Sequence, residues 1–296
     1  GAIASMEWWG WILLAAFAVL AYGMTFARWC FVIHHSDVHV LPKGAKPIRV
    51  LHISDVHMAP WQKRKQKFIK SLGSEAPDLI VNTGDNLGHQ DVIHVTMNAY
   101  ENILKVPGVF VNGSNDYYAP RIKNPFGYLR APSTPDNSRP LATNELTNAF
   151  ENHGWKNLNN RSAEIKINGT KIGFIGVDDP HDKLDDLATV KKLHNEIIIG
   201  VAHAPYRRVI EGFAEAGADI MFAGHTHGGQ VRFPIIGALT TNSDLPTKYA
   251  KGLSAWLFNE KVMLLNVAAG LGNSIYAPVR FWNRPEVRII VLLPKL

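Results

Sequence analysis

The 296-residue chain has a single cysteine, Cys30, and its segment from residue 8 to residue 27 contains no charged side chain. One cysteine excludes an intrachain disulfide framework, which fits a reducing compartment. A composition of 46% hydrophobic and only 19% charged residues excludes a disordered chain and predicts a large buried core. The sequence also lacks internal repeats and low-complexity tracts. These absences leave a globular protein with one unusual apolar segment.

That uncharged segment, WWGWILLAAFAVLAYGMTFA, has the length a helix needs to cross a bilayer. Its large apolar side chains supply roughly −2 to −4 kcal/mol toward membrane insertion, with no charge to oppose them. Tryptophans stand at both ends, as interfacial anchors do. We therefore predict a membrane-anchor helix over residues 6–33. A cleaved signal peptide and a buried core helix are the alternatives, although Glu7 stands where signal peptides carry Lys or Arg.

The flanking residues predict borders and orientation. Residues 1–5 resemble an expression scar and are left out of fold reasoning. Basic residues follow the apolar segment, whereas nothing basic but the amino terminus precedes it, so the main domain is expected in the cytoplasm. We predict a cell-membrane protein, single-pass or peripherally anchored. A linker is expected over 34–47, and one domain over 48–296.

The net charge of +6 is concentrated in a predicted helix over residues 62–72. A basic surface suits anionic lipid headgroups, a phosphorylated substrate or a nucleic acid, and a solvated helix face is the alternative. Because the basic residues do not line a long track, no nucleic acid partner is expected. The lipid bilayer and a phosphorylated small molecule are therefore the predicted partners. The basic residues of this helix are Lys63, Arg64, Lys65, Lys67 and Lys70.

Short apolar runs alternate with amphipathic segments along the main domain. The runs are rich in Ile and Val, and helices are predicted between them at 62–72, 91–104 and 206–216, which indicates an α/β domain with buried strands. AEIKING and TKIGFIG, joined through Asn168-Gly169, predict a hairpin. GLSAWLF and KVMLLNV flank Asn259-Glu260, and VRIIVLL closes the chain. The last third is therefore expected to be more antiparallel.

The segment 117–140 fits neither pattern, since it contains five prolines together with basic and aromatic residues. Loops of this length without periodicity are usually functional lids or disordered. Because the segment directly follows a strand end, we predict a lid insertion. Its candidate substrate-binding residues are Tyr117, Tyr118, Arg121 and Lys123.

Five predicted strands end in side chains that could bind metal. Ligands of an α/β sheet bind beyond the carboxyl ends of its strands, so these groups should converge. Asp and His without cysteine suit Zn, Fe or Mn. A single such His is more often a hydrogen-bonded core residue, but without a metal the whole set would leave several buried polar groups unpaired. The set is Asp55, His57, Asp85, Asn86, Asn115, Asp116, His203, His225 and His227.

The order of these motifs resembles the calcineurin-like metallophosphoesterases. The residues that carry the resemblance are Asp55-Val56-His57, Gly84-Asp85-Asn86, the Asn115-Asp116 region, His203 and Gly224-His225-Thr226-His227. HTHGGQV and GLGNSIYAPVRFWNRPEV resemble the branch of that family with an amino-terminal membrane anchor. The resemblance spans residues 48–293. It implies a four-layer αββα sandwich, here preceded by one hydrophobic helix, with metals at the carboxyl ends of the strands.

The resemblance also implies a site for two divalent metal ions bridged by Asp85. It implies that a hydroxide activated by both ions attacks phosphorus. The first ion would be held by Asp55, His57, Asp85 and His227, and the second by Asp85, His203, His225 and an asparagine of the third motif.

The third motif departs from the family pattern. The family reads Gly-Asn-His-Asp or Gly-Asn-His-Glu, whereas this chain has Gly113-Ser114-Asn115-Asp116. Either Ser114 or Asn115 could fill the ligand position, and the amide oxygen of Asn115 is the better ligand. The usual proton-donating histidine is missing, and a neutral amide cannot protonate a leaving group. Other candidate donors are His89, His94 and Asp116.

The missing donor narrows the predicted substrate. General acid catalysis contributes about 10² to 10⁴ in rate, so its loss matters least when the leaving group is already a stable anion, as in a pyrophosphate. Together with the apolar segment, the basic helix and the lid, this predicts a metal-dependent hydrolase of a lipid-linked phosphoester or pyrophosphate. The alternatives are a nucleotide or cyclic-nucleotide phosphodiesterase and a catalytically poor membrane-bound metal-binding protein.

Overall fold

A computed structural model describes residues 7–120, 140–229, 232–233, 237–238, 243–273, 280 and 283–296. Its helices are α1 (Trp8–Met24), α2 (Phe26–Trp29), α3 (Lys63–Ser71), α4 (Ile93–Tyr100), α5 (Ser114–Tyr117), α6 (Thr143–Asn152) and α7 (Arg207–Glu215). Short 3₁₀ turns occupy Leu72–Glu75, Leu187–Thr189, His227–Gly229 and Thr247–Tyr249. The helices predicted between the strands are present as α3, α4 and α7.

Within the described residues the strands form two six-stranded sheets. The first has the order β1 (Val32–Leu41), β14 (Glu286–Pro294), β2 (Ile48–Ile53), β3 (Leu79–Asn82), β4 (Gly108–Phe110) and β5 (Lys156–Asn157). The second has the order β12 (Gly252–Phe258), β13 (Lys261–Val267), β9 (Ile220–Ala223), β8 (Ile197–Val201), β7 (Thr170–Gly176) and β6 (Ser162–Ile167). β10 (Arg232–Phe233) and β11 (Gly237–Ala238) form a separate antiparallel pair.

Strand directions place the carboxyl ends of the central strands together. β2, β3 and β4 are mutually parallel in the first sheet, as are β7, β8, β9 and β13 in the second. Antiparallel pairs join β6 to β7, β12 to β13 and β14 to β2. The hairpin predicted through Asn168-Gly169 is present as β6 and β7, and the segments that flank Asn259-Glu260 form a second antiparallel pair, β12 and β13.

The two sheets pack face to face, and helices cover their outer faces. Val81 of β3 and Phe222 of β9 belong to one inner apolar cluster. Ile80, which points the other way, packs in the cluster of α3, α4 and α6, and Met221 packs in the cluster of α7. Each of these strands is apolar on both faces because both faces are covered. This arrangement is the predicted four-layer αββα sandwich.

Strand β1 contains residues that were predicted otherwise: Val32 and Ile33 belong to the anchor helix predicted over 6–33, which ends at Trp29, and residues 34–41 belong to the linker predicted over 34–47. β1 pairs in parallel with β14, from Val32 opposite Glu286 to Leu41 opposite Pro294. Its alternate residues Val38 and Val40 are buried. The pairing partner lies at the other end of the chain, so the local pattern indicated a strand only weakly.

The apolar segment forms α1 and α2, which together cover Trp8–Trp29 and are long and apolar enough to cross a bilayer. Its large side chains are mostly exposed, including Phe17 at 69%, which is unlike a core helix. Near its carboxyl end the segment meets the sandwich: the Arg280 N–H donates to the Gly23 carbonyl at 3.1 Å. The predicted scar, residues 1–5, lies outside the described residues.

Candidate metal centre

The structure brings together the six Asp and His side chains that the sequence predicted as ligands. They stand in loops that follow β2, β3, β8 and β9, so both sheets contribute. Backbone hydrogen bonds join neighbouring loops. The Asp55 N–H donates to the Gly84 carbonyl at 2.9 Å, and the Gly224 N–H donates to the His203 carbonyl at 2.8 Å. The common edge follows from the parallel order of the strands.

The six side chains form two groups, each of which could hold one metal ion. Within each group the ligand atoms lie within 4.8 Å of one another. In one group the ring centroids of His57 and His227 are 5.1 Å apart. In the other, His203 Nε2 is 3.1 Å from His225 Nδ1. The groups are Asp55, His57 and His227, and Asp85, His203 and His225.

Asp85 lies between the two groups. Its Oδ2 atom is 3.5 Å from His57 Nε2 in one group and 3.5 Å from His203 Nε2 in the other. Burial opposes ionisation of the Asp85 carboxyl, but His203, His57 and two hydrogen bonds from Asn115 lower its pKa to about 2. Asp85 is therefore an anion placed where a bridging ligand would stand.

Hydrogen bonding fixes which nitrogen of His203 faces the site. Nδ1 is 2.7 Å from the Thr83 carbonyl oxygen, and because that oxygen can only accept, Nδ1 carries the proton. Nε2 then points toward Asp85. Burial acts to lower the pKa of His203, but Asp85, Asp179 and Asp55 outweigh burial and raise it to about 9. The carboxylates thus favour positive charge at the position a metal cation would take.

Five of the six residues have a left-handed backbone. Their φ angles are 48° at Asp55, 44° at His57, 55° at Asp85, 65° at His225 and 48° at His227. Non-glycine residues rarely adopt this region, and strain of this kind, on the order of 1–3 kcal/mol per residue, concentrates at ligand sites. The backbone is strained where it aims these side chains at one another.

Ring nitrogens of the first group fit a metal ion. Among the described residues, both nitrogens of His57 and Nδ1 of His227 are buried without a hydrogen-bond partner. Burial lowers the pKa of each ring to about 4, against the opposing effect of Asp85 on His57 and Asp55 on His227. Neutral imidazoles with unpartnered nitrogens are what a divalent cation needs as ligands. The first group therefore fits a metal ion, and the carboxylates around His203 favour a cation at the second group.

The third motif places Asn115 against Asp85. The backbone N–H of Asn115 donates to Oδ1 of Asp85 and its side-chain amide donates to Oδ2, each at 2.8 Å. A 180° rotation of the amide exchanges its nitrogen and oxygen, which would turn the oxygen toward the groups. Gly113 leaves the space for this loop, because a Cβ there would overlap Asp85 Oδ1 and lie 2.6 Å from His203 Cε1. Of the two candidate ligands of this motif, Asn115 is the one whose side chain contacts Asp85.

Asp116, which the sequence analysis assigned to catalysis, ties the loops together. Its Oδ1 accepts the N–H of Asn86 at 2.7 Å and of Leu87 at 3.2 Å, and its Oδ2 accepts the N–H of Gly113 at 3.1 Å. Burial and the nearby Asp85 raise the pKa of Asp116 to about 7. Because backbone donors of the second and third motifs occupy both oxygens, the structure gives Asp116 a positioning role.

The ends of the predicted lid meet at one place. Tyr118 and Pro140 form an antiparallel bridge, and the Leu141 N–H donates to the Tyr117 carbonyl at 2.8 Å. The Tyr117 hydroxyl donates to Asp178 Oδ1 at 2.7 Å, so this side chain fastens the third motif to the end of β7. Tyr118 is half-buried. Arg121 and Lys123 lie outside the described residues.

Two histidines considered as proton donors lie after the second motif. The His89 ring packs edge-on against Trp61, with centroids 5.6 Å apart, and its Nδ1 accepts the Asp91 N–H at 3.4 Å. His94 is an exposed residue of α4. These contacts do not link either ring to the ligand groups.

The sequence analysis missed a further strand end, which follows β7. The His181 ring lies 4.4 Å from that of His225, centroid to centroid, and His181 Nδ1 is 3.0 Å from the Tyr206 hydroxyl. Asp179 is fully buried, and burial with Asp182 and Asp85 raises its pKa to about 8 although His203 opposes this. The signal was available, since KIGFIGV runs into two aspartates and a histidine as the other strands do.

The sequence matches a known protein family over most of its length. The model of the family "Calcineurin-like phosphoesterase" matches residues 48–229. The chain is 29% identical over 274 residues to YpbG, an uncharacterised protein of Bacillus subtilis (strain 168), and the match covers 88% of each.

Two solved structures are similar at low identity. The protein TT1561 of Thermus thermophilus is 14% identical with a TM-score of 0.44, over 76% of this chain and 91% of that one. The NAD nucleotidase of Haemophilus influenzae is 14% identical with a TM-score of 0.42, over 76% of this chain and 51% of that one. Since the family model covers more than half of the chain and includes all six Asp and His residues of the two groups, the chain belongs to the calcineurin-like phosphoesterases, which are metal-dependent enzymes.

Proposed function

We propose that the protein is a membrane-anchored hydrolase that uses two metal ions to cleave a phosphoester or pyrophosphate bond in a lipid-linked substrate. The observation that carries the proposal is the position of Asp85 Oδ2, 3.5 Å from one histidine of each group. The two groups would hold divalent ions, Mn, Fe or Zn, and such ions would supply Lewis-acid chemistry by polarising phosphoryl oxygens and lowering the pKa of water toward about 7. The other residues of the two groups would hold those ions.

The protein's own residues fix the geometry of such a site. Asn115 holds both oxygens of Asp85, and the Thr83 carbonyl orients His203. The ring of His181 packs on His225 and restricts its rotation. Fixed ligands of this kind raise the affinity and selectivity of a metal site.

The third motif supports a substrate with a good leaving group. The sequence has Asn115 where the family pattern has a proton-donating histidine, and Asp116 is occupied by backbone donors. A leaving group that is stable as an anion needs no proton in the transition state. A pyrophosphate bond meets this requirement better than a simple alkyl phosphomonoester does.

The apolar segment and the basic helix support a substrate at the membrane. α1 exposes large apolar side chains along its length, and α3, with its cluster of basic residues, follows the loop of Asp55 and His57. The excess of basic residues after α1 supports a cytoplasmic site. These features together favour an enzyme that meets its substrate at the inner face of a cell membrane.

The Asp85→Asn substitution tests the metal centre. In full-length protein purified in neutral detergent, we expect this variant to lose bound metal and hydrolysis of a chromogenic phosphodiester together. The loss should be at least about 100-fold, the upper range for substitutions around metal sites. Asp37→Asn, which removes a carboxylate of β1 far from the ligand loops, is the matched control and should keep both. Full activity in Asp85→Asn would overturn the proposal.

The substrate class needs a separate comparison. Turnover of a lipid pyrophosphate in mixed micelles should exceed that of a lipid phosphomonoester and of a cyclic nucleotide. Comparable turnover of the cyclic nucleotide would favour a nucleotide phosphodiesterase. Bound metal without turnover of any substrate, with Mn, Fe, Co or Zn supplied, would favour a binding protein.

A further inference from the structure

A cavity of about 300 Å³ lies where the apolar segment meets α3. Trp29 and Phe31 line one side of it, and Trp61 with the start of α3 lines another. This volume is at the lower end of that of small-ligand pockets. Its lining contains no carboxylate among the described residues, but it contains four cationic side chains, Arg28, Lys63, Arg64 and Lys65.

The deepest of these cations is Lys65, which is only 6% exposed. Its ammonium donates to the Val56 carbonyl at 2.6 Å. Burial, together with repulsion from Arg28 and Arg280, lowers the pKa of Lys65 well below its usual range. A bound anion would counter that repulsion. The cavity therefore has the electrostatics of an anion site.

Gly272 shapes the floor of the cavity. A Cβ at this position would overlap the Val56 carbonyl and lie 2.9 Å from Lys65 Nζ, so only glycine lets the ammonium reach its acceptor. The Gly272 N–H donates to the Asp55 carbonyl at 2.7 Å. The cavity thus lies next to the backbone of the loop whose side chains Asp55 and His57 belong to the first ligand group.

The position of the cavity along the apolar segment indicates what could enter it. Helix α1 (Trp8–Met24) has 17 residues, about 26 Å of helix, which approaches the roughly 30 Å of a bilayer core. Because Gly23, near the end of α1, already contacts Arg280 of the sandwich, Trp29 lies on the sandwich side of that contact, at the level of the headgroups, where tryptophans concentrate. Trp29 and Trp61 are 47% and 61% exposed, so the mouth of the cavity presents aromatic surface next to basic side chains.

We propose that this cavity binds the phosphate headgroup of an anionic phospholipid from the bilayer that holds α1. The proposal rests on the membrane placement of α1 given under the proposed function. Arg64 and Lys63 would bind the phosphate oxygens, since guanidinium groups pair with phosphate in a bidentate manner. Arg64 also lies 6.0 Å from the Trp29 ring centroid, which places its charge at the mouth. The acyl chains would run along the exposed apolar side chains of the segment.

Titration calorimetry of the full-length protein in neutral detergent tests the site. The probe is dihexanoyl phosphatidylglycerol below its micelle concentration, with dihexanoyl phosphatidylcholine and inorganic phosphate as comparisons. We expect saturable binding of one phosphatidylglycerol, with at least about tenfold weaker binding of the other two. The double variant Lys63→Ala/Arg64→Ala should bind phosphatidylglycerol on the order of thirtyfold more weakly. Lys67→Ala/Lys70→Ala removes the same charge from the same helix outside the cavity and should change binding less than about twofold.

Three results would overturn the proposal. Equal binding of phosphatidylcholine would remove the role of the anionic headgroup. Equal weakening in both double variants would assign the effect to diffuse surface charge. Equally tight binding of inorganic phosphate would show that the lipid is not the ligand. The titration requires neither bound metal nor turnover. A failure to bind phosphatidylglycerol would therefore not contradict the proposed hydrolase activity, and a lack of hydrolase activity would not contradict lipid binding in the cavity.

Discussion

Ser114 and Asn115 differ in the contacts that their side chains make. Asn115 makes two hydrogen bonds to Asp85, whereas Ser114 begins α5. The sequence left the choice open because both residues stand next to the expected ligand position. Which side chain faces the metal groups depends on the turn of the loop, and that turn is set by Gly113 and by contacts from other strands.

Substitution of Asn115 by alanine should therefore weaken metal binding. The amide contact with Asp85 is lost while the backbone bond remains, and we expect a fall in metal affinity of about 10- to 100-fold. Ser114→Ala is the control and should keep the affinity of the unmodified protein. The measurement is metal retained after dialysis against graded chelator. A larger effect at Ser114 would move the ligand assignment to that residue.

His52 shows how burial makes stability depend on pH. Its ring is fully buried between Thr83 and Asn266, each 2.9 Å away. Burial, with a smaller effect of Arg288, lowers the pKa of His52 to about 3. As pH falls below the unfolded value of about 6.5, the unfolded chain takes up a proton that the folded chain refuses, so stability falls.

Between pH 7 and pH 5 this proton should cost the folded state about 2 kcal/mol. His52→Gln removes the titrating group, so its unfolding free energy should vary less over that interval by about this amount. Denaturant unfolding of metal-free protein at the two pH values, followed by tryptophan fluorescence, checks it. An unchanged slope in His52→Gln would show that the ring titrates alike in both states.

At the scale of elements, the sequence predicted what local patterns determine. The turn at Asn168-Gly169 has φ angles of 49° and 89°, and the turn at Asn259-Glu260 has 46° and 64°. Turns of this hand suit two-residue hairpins. β1 escaped prediction because it is held by β14, and pairing between distant segments leaves little trace in either one. The Asp179–His181 strand end was missed although the pattern was present.

The loop from β4 to α5 is built around close approach of the backbone to the site. Gly113 is extended, with φ of −111°, so steric overlap with Asp85 is the reason for glycine at this position. Gly113→Ala should push the loop away from Asp85 and reduce metal affinity and activity together, while the melting temperature changes little. Activity on a chromogenic phosphodiester and metal content are the readouts.

Gly154→Ala provides the opposite case. Gly154 has φ of +87° and open space around its Cα, so alanine there strains the backbone by about 1–2 kcal/mol without touching the site. We expect lower stability with unchanged metal content. Equal metal content in both variants would contradict the assigned role of Gly113.

At the scale of the whole molecule, the sandwich could be predicted from the sequence, whereas the junction between the sandwich and the apolar helix could not. The resemblance of the ordered motifs to a known family implied the sandwich, and the convergence of the ligands could be predicted because each motif follows a buried strand. The cavity at the junction could not be predicted in this way. It is formed by Arg28, the start of α3 and Gly272, which are far apart in the chain and meet only because the end of the helix docks on the sandwich.

The proposed membrane anchoring depends on a small favourable free energy of inserting α1 into the bilayer, and one substitution can test it. Phe17 lies within α1 and is 69% exposed, so replacing it disturbs little packing. An arginine at the centre of a helix costs about 2.5–3.5 kcal/mol of insertion, close to the roughly 2–4 kcal/mol that the apolar side chains supply. Phe17→Arg should therefore shift the protein from carbonate-washed membranes to the soluble fraction, whereas Phe17→Leu should remain in the membranes. Both variants should keep their metal content, because the substitution lies outside the sandwich that holds the ligand groups. Retention of Phe17→Arg in the membranes would show that α1 is not what anchors the protein.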